Sequence, residues 1–200
     1  MHLGAASMIG ATGSNGSNNG VPENFDVLTY TDHDLSEVSS IGYTVHNLVV
    51  NDPSIFSSDD IQRIKESFHN NSLIIGQTNG RYGGDLVNPD QRIRDKCINF
   101  VKDMCVLTSK LGAPNTYLRP GSINPNGPWL PHPENHTDKV FDRLIDSTKK
   151  IISVAENEGV KLSLEGGYVS PIFSAKRTKE FIDAVGSKNL GFNQDPVNFI

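Results

Sequence analysis

Residues Lys161–Pro171 read KLSLEGGYVSP: a short strand that stops at a carboxylate and is followed at once by two glycines. Successive side chains alternate across a strand, so Leu162 and Leu164 fall on one face while Lys161, Ser163 and Glu165 share the other. Further on, Leu190–Pro196 (LGFNQDP) repeats the design, with Leu190 and Phe192 on one face and Gly191, Asn193 and Asp195 opposite. Strands that are apolar on one side and small or polar on the other suit the wall of a parallel barrel. The apolar side meets covering helices, the polar side points inward, and the last residue opens at the carboxyl rim where such folds keep their chemistry. Two acidic groups brought to that rim by neighbouring strands predict a cation site.

The surrounding chain alternates strand and helix. His2–Ile9 reads as a weak first strand, and the Gly/Asn/Ser-rich residues 10–24 as a flexible loop. Asp32–Ile41 is expected to be a helix closed by Gly42, and Tyr43–Val50 a strand rich in aromatic and β-branched residues. In SSDDIQRIKESF, Ser57 with Asp60 forms a capping box, and Ile61, Ile64 and Phe68 make the buried stripe. Leu73–Gly76 is the next strand. Asn88-Pro89 is expected to open a long helix to Leu111, with Ile93, Cys97, Val101, Met104, Cys105 and Thr108 on one face and Gly112 at its end. Then come strand Thr116–Arg119, a helix capped by Thr137, strand Lys161–Glu165, helix Ser174–Val185 and strand Leu190–Asp195. Strands alternating with helices mean an α/β fold with a parallel sheet. An open doubly wound sheet would carry a glycine-rich phosphate turn opening a helix after its first strand, and residues 10–20 lack that helix. Its central strands would also be apolar on both faces, so the polar face of the fifth and sixth strands favours a barrel.

The 200 residues, 36% apolar and 20% charged, describe one globular domain spanning 1–200. Residues 1–100 carry 6 basic and 12 acidic side chains and residues 101–200 carry 12 and 11, so no basic face exists to make nucleic acid a partner. No apolar run approaches a membrane span, and the amino terminus lacks the basic and apolar regions of a signal peptide. Cys97 and Cys105 lie eight apart in a helix, about 12 Å along its axis, too far for a disulfide; they read as core residues in a reducing, cytoplasmic setting.

Three segments, GSINPNGPWLPHPENHT (Gly121–Thr137), AENEGVKLSLEG (Ala155–Gly166) and VGSKNLGFNQDPVNF (Val185–Phe199), closely resemble the sugar phosphate isomerase/epimerase proteins of the xylose-isomerase-like barrel superfamily. The resemblance implies a (β/α)8 TIM barrel, here incomplete with about six parallel strands and stopping after strand six. It also implies a divalent metal (Mn2+, Mg2+, Co2+ or Zn2+) held by a Glu ending strand five, an Asp ending strand six, a His ending strand seven and a Glu ending strand eight. Glu165 and Asp195 match the first two positions; the other two have no counterpart here. Relatives often carry a His three residues after the Asp. Asn198 stands there and is suited to hydrogen-bonding a sugar. The superfamily's nucleases use extra histidines, which Gln77-Thr78-Asn79 does not provide.

Hard dications take carboxylate oxygens, and a metal on two neighbouring sugar oxygens stabilises the negative charge left when a proton leaves the carbon between them. Glu165 is therefore expected to be both metal ligand and base in a metal-stabilised enediolate proton transfer, the reaction of a sugar or sugar phosphate isomerase or epimerase. A dehydratase or lyase on polyols or keto-acids would reuse the same groups, and a carbohydrate-binding scaffold would keep the barrel without turnover. The structural alternative makes Glu165 and Asp195 ordinary rim carboxylates capping the next helices. Arg119 either clamps a phosphate or carboxylate or pairs with Glu165 or Asp195. Trp129 offers a wall for a sugar's apolar face or serves as a packing anchor. His132 and His136 sit around Pro133, which prevents a helical metal pair, so they are expected to contact substrate or scaffold the loop. A six-stranded barrel also leaves two strand edges free, and association into homo-oligomers is expected from them.

Overall fold

The computed structural model describes the backbone of residues 4–5 and residues 26–83 and 85–199. The loop expected at 10–24 lies outside the described residues, as does most of the weak first strand. Six parallel strands form one sheet in sequence order: β1 (Gly4–Ala5), β2 (Val45–Val50), β3 (Ile74–Gly80), β4 (Asn115–Leu118), β5 (Lys161–Leu164) and β6 (Leu190–Phe192). Helices α1 (Asp32–Ser40), α2 (Ser58–Asn70), α3 (Gln91–Leu111), α4 (Asp138–Asn157) and α5 (Ala175–Val185) separate consecutive strands. Strict sequential order with a crossover helix at each step is the winding of a (β/α)8 barrel, of which six strands are seen. Among the described residues no helix is long and apolar enough to cross a membrane.

The elements begin and end for local reasons. Ser57 and Asp60 make the expected capping box on α2, and Thr31 with Asp34 makes another on α1. Gly112 and Gly186 close α3 and α5 in the left-handed conformation, where a Cβ would be strained. Two starts differ from expectation. The side chain that caps α3 is Asp90, which accepts from Arg92 N–H, because Asn88 instead bonds the backbone of Asp90 one step earlier. Thr137 stands at the N-cap of α4 but makes no side-chain cap, since its hydroxyl donates to Glu134 O. Ile93, expected on the buried stripe of α3, is 38% exposed because it precedes the first turn that packs on α4.

Two apolar layers lie between sheet and helices. One gathers Val101, Cys105, Leu144, Ile151, Phe181, Leu162 and Leu164 under α3–α5, and the other gathers Leu35, Leu48, Ile64, Phe68 and Leu111 under α1–α3. Leu162 and Leu164 are fully buried whereas Ser163 is half-buried and Lys161 exposed, which is the alternation that the sequence predicts. His46 is buried between the rings of Tyr30 and Phe68. Cys97 and Cys105 are free and buried, and burial pushes both thiols up to about 12.

Leu118, Leu164 and Phe192 are paired in register across β4, β5 and β6. Leu164 holds that rim from below, so Leu164→Ala should cost about 2–5 kcal/mol in a urea titration with little change in slope. A loss below about 1 kcal/mol would show that the rim does not depend on this packing.

Candidate active site

The residues that follow the three paired positions are Arg119, Glu165 and Asn193, and backbone bonds carry the alignment past the strand ends. Glu165 N–H donates to Leu118 O (3.2 Å) and Asn193 N–H to Leu164 O (2.7 Å). Arg119, Glu165 and Asn193 therefore form a row across three neighbouring strands on the face opposite the buried leucines. Strand β6 ends at Phe192, earlier than expected, because Asn193 turns into a loop. Asp195 thus sits beyond the strand, where its Oδ1 accepts from Val197 N–H (3.1 Å) and starts the short 3-10 turn Pro196–Phe199.

That turn carries Asn198 back to Glu165. The Nδ2 of Asn198 donates to Glu165 Oε1 (2.9 Å) and to Asp195 Oδ2 (3.2 Å), and the amide of Asn193 donates to Glu165 Oε2. Both carboxylates thus converge on one donor atom. Oxygens sharing a donor at those distances lie within about 6 Å of each other, and two ligands of one dication stand roughly 3 Å apart. The pair fits a cation with a small side-chain adjustment, and the chemistry of the donors, hard oxygens on a polar face, suits Mg2+ or Mn2+. Among the described residues no third His, Cys, Asp or Glu completes a metal-holding group with them. Asp195 also performs the capping role, with one oxygen; Glu165 caps nothing.

Tyr117, two residues before Arg119 on β4, faces the same side. Its hydroxyl is pushed up to about 12 by burial, then by the negative charge of Glu165, with Arg119 opposing. It stays protonated at neutral pH and lies near both side chains. Arg119 is half-buried: its Nη1 donates to Tyr82 O (2.8 Å), its backbone N–H donates to the Tyr82 hydroxyl (2.6 Å), and its Cζ stands 5.2 Å from the Trp129 ring centre. Trp129 is 51% exposed on the outer side of this cluster.

The two histidines of HPENHT are tied into the loops. His132 caps the short 3-10 turn Pro133–His136, its Nδ1 accepting from Glu134 N–H (3.2 Å). The Nε2 of His136 bonds Tyr168 O (2.6 Å), and its ring packs on Phe173. Between them Asn135, 1% exposed, accepts from Ile123 N–H and donates to Ser122 Oγ and Val169 O. The segment is thus a brace joining the loop after β4 to the loop after β5. The structure brings together Glu165, Asp195, Asn198, Arg119 and Trp129, and adds Tyr117 and Asn193. Asn193 falls on the polar face of its strand in the sequence and Tyr117 two residues before Arg119, so alternation was the signal available for both.

A family model described as a xylose isomerase-like TIM barrel matches residues 35–200. The chain belongs to the xylose isomerase-like TIM barrel family. Solved structures that resemble this xylose isomerase-like barrel include D-psicose 3-epimerase in the presence of D-fructose, with a TM-score of 0.73 and 15% identity over 96% of this chain and 62% of that one. A xylose isomerase domain protein from Planctomyces limnophilus has a TM-score of 0.67 and 21% identity over 83% of this chain and 59% of its own. A xylose isomerase-like TIM barrel protein from Mycobacterium smegmatis, in complex with magnesium, has a TM-score of 0.70 and 19% identity over 100% of this chain and 66% of its own. The chain therefore spans roughly three fifths to two thirds of these structures. At such identities the likeness establishes the shared fold. No protein of curated function matches the sequence.

The loop after Glu165 is tightly seated. A Cβ at Gly166 would stand 2.7 Å from Ile172 O and 2.7 Å from Phe199 Cζ, whereas one at Gly167 would meet only Asn198 at 3.4 Å. Gly166→Ala should destabilise by about 1–3 kcal/mol in denaturant, and Gly167→Ala by clearly less. Equal tolerance of the two would mean that the turn carrying Asn198 is not fixed by this contact.

Proposed function

We propose that the chain forms the metal-binding and proton-transfer side of a divalent-metal-dependent isomerase or epimerase acting on a small sugar or sugar phosphate. The observation that carries this reading is the convergence of Glu165 and Asp195 on a single donor atom at the carboxyl rim of a parallel barrel. Family membership supports it, as does the presence of sugar epimerases and a magnesium complex among the structures of like fold. The described residues form one sheet and are read as a single barrel domain. The buried free thiols are in keeping with a reducing, cytoplasmic compartment.

Glu165 and Asp195 would hold the metal, and Mg2+, Mn2+, Co2+ and Zn2+ are all within the range of this donor set. When bound, it supplies the positive charge that stabilises the negative charge developing on two neighbouring sugar oxygens. The carboxylate of Glu165 takes the proton from the hydroxyl-bearing carbon beside the carbonyl, the C–H electron pair forms a carbon–carbon double bond, and the carbonyl π pair moves onto its oxygen. In an isomerisation Glu165 returns the proton to the former carbonyl carbon while the hydroxyl proton passes to the former carbonyl oxygen; in an epimerisation a second acid returns a proton to the same carbon from the opposite face. The amides of Asn193 and Asn198 keep the Glu165 carboxylate oriented, and Tyr117, held protonated by burial, stands near it. With the carboxylates holding the metal, the Asn198 amide beside them would be available to a sugar hydroxyl, and Trp129 gives the sugar's apolar face a wall. His132 belongs to this reading as a loop residue that shapes the mouth of the pocket.

The full chain with Mn2+ and a ketose in D2O should wash deuterium into the carbon beside the carbonyl, followed by NMR. Glu165→Gln should slow that exchange by at least about 10²-fold, and Asp195→Asn should shrink the Mn2+-induced rise in Tm. Exchange at the wild-type rate in Glu165→Gln would overturn the base assignment. A Tm rise unchanged by both substitutions would remove the pair from the metal.

A further inference from the structure

Arg119 carries a charge that the described fold does not neutralise. Its Cζ stands over the rings of Tyr82, Tyr117 and Trp129 at 5.6, 5.6 and 5.2 Å. Of its five N–H groups, one bonds the carbonyl of Tyr82, while Nε is buried without a partner among the described residues. None of the ion pairs among the described residues includes it. Arg177 makes the contrast: it too lies over an aromatic ring, Phe141, yet it is paired with both Asp138 and Glu180. Aromatic faces attract a guanidinium but do not cancel its charge, and a partly buried cation is costly to leave without an anion.

The acid nearest in register, Glu165, does not fill that need. It stands one strand away, yet its oxygens are bonded to the amides of Asn193 and Asn198, and Arg119 is held back by the Tyr82 carbonyl. The rim thus keeps an acidic end, Glu165 with Asp195, and a cationic end, Arg119 with its aromatic walls. Neighbouring strands are about 4.8 Å apart, a gap that a short carbon chain bridges.

We propose that Arg119 recognises an anionic group on the substrate, a phosphate ester or a carboxylate, at the end remote from the carbons that exchange their proton. The guanidinium fork suits the planar or tetrahedral oxygens of either group. The proposal rests on the reading of Glu165 and Asp195 as the reacting end.

Trp129 is the only tryptophan of the chain and lies against Arg119, so its fluorescence reports a ligand there. The full chain without metal is titrated with D-fructose 6-phosphate, D-fructuronate and D-fructose at low and moderate salt. At least one charged probe should bind about tenfold or more tightly than fructose, with the advantage shrinking as salt rises. Preference for the phosphate identifies the ester as the recognised group, and preference for fructuronate the carboxylate. Arg119→Lys should lose most of that advantage and Arg119→Met all of it. Equal binding of charged and neutral sugars by the wild type, or no response to any probe, overturns the proposal even if Arg119→Met fails to fold. A preference that survives in a folded Arg119→Met does so too. The two readings fail separately. Arg119-dependent anion binding with no proton exchange on any probe leaves this site standing and removes the role given to Glu165. Exchange on fructose without anion preference does the reverse.

Discussion

Everything at the rim depends on the register of parallel strands. Each backbone bond between β4, β5 and β6 fixes where the next strand stops, and the pairs Leu118–Leu164 and Leu164–Phe192 bring three chain ends to one level. A slip of one residue would exchange faces, sending Glu165 toward the helices and Leu164 into the pocket. The cost of burying that carboxylate against Phe181 and Ile151 is what locks the register, so the apolar layer specifies the polar one. The site is a by-product of where the leucines must go.

A second layer keeps the rim rigid. Asn135 is nearly inaccessible and satisfies groups from two different loops, and His136 closes on the Tyr168 carbonyl beside it. Loops that cross the mouth of a barrel are otherwise its most mobile parts. Here a buried amide and a ring contact hold them, and Trp129 is presented from a segment whose prolines already restrict it. Pre-organisation of this kind lets a pocket bind a flexible ligand without first ordering its own walls.

The fold was legible because alternation in KLSL and LGF, together with caps such as Ser57–Asp60, is local information. That Glu165 follows β5 directly was legible as well, from the alternation of KLSLE. What the sequence could not show was geometry set by distant neighbours. Asp195 lies past the end of β6 and reaches the pocket only because the turn after it carries Asn198 back. Tyr117 and Asn193 acquire meaning from register with Glu165. The helix start at Asp90 went to Asn88 in the sequence reading because two neighbouring residues can each cap, and only the backbone path decides between them. The bonds of HPENHT were likewise out of reach, since His132 accepts from Glu134 N–H and His136 bonds the Tyr168 carbonyl only because of the backbone path around Pro133.

The amide of Asn198 lies between two acids and bonds both of them. Repulsion between the carboxylates is softened by a neutral donor that the chain supplies itself. On the proposed reading an arriving dication performs a substitution and not an addition. Its net affinity is lowered by the contacts it breaks, and occupancy becomes responsive to the supply of free metal around the protein.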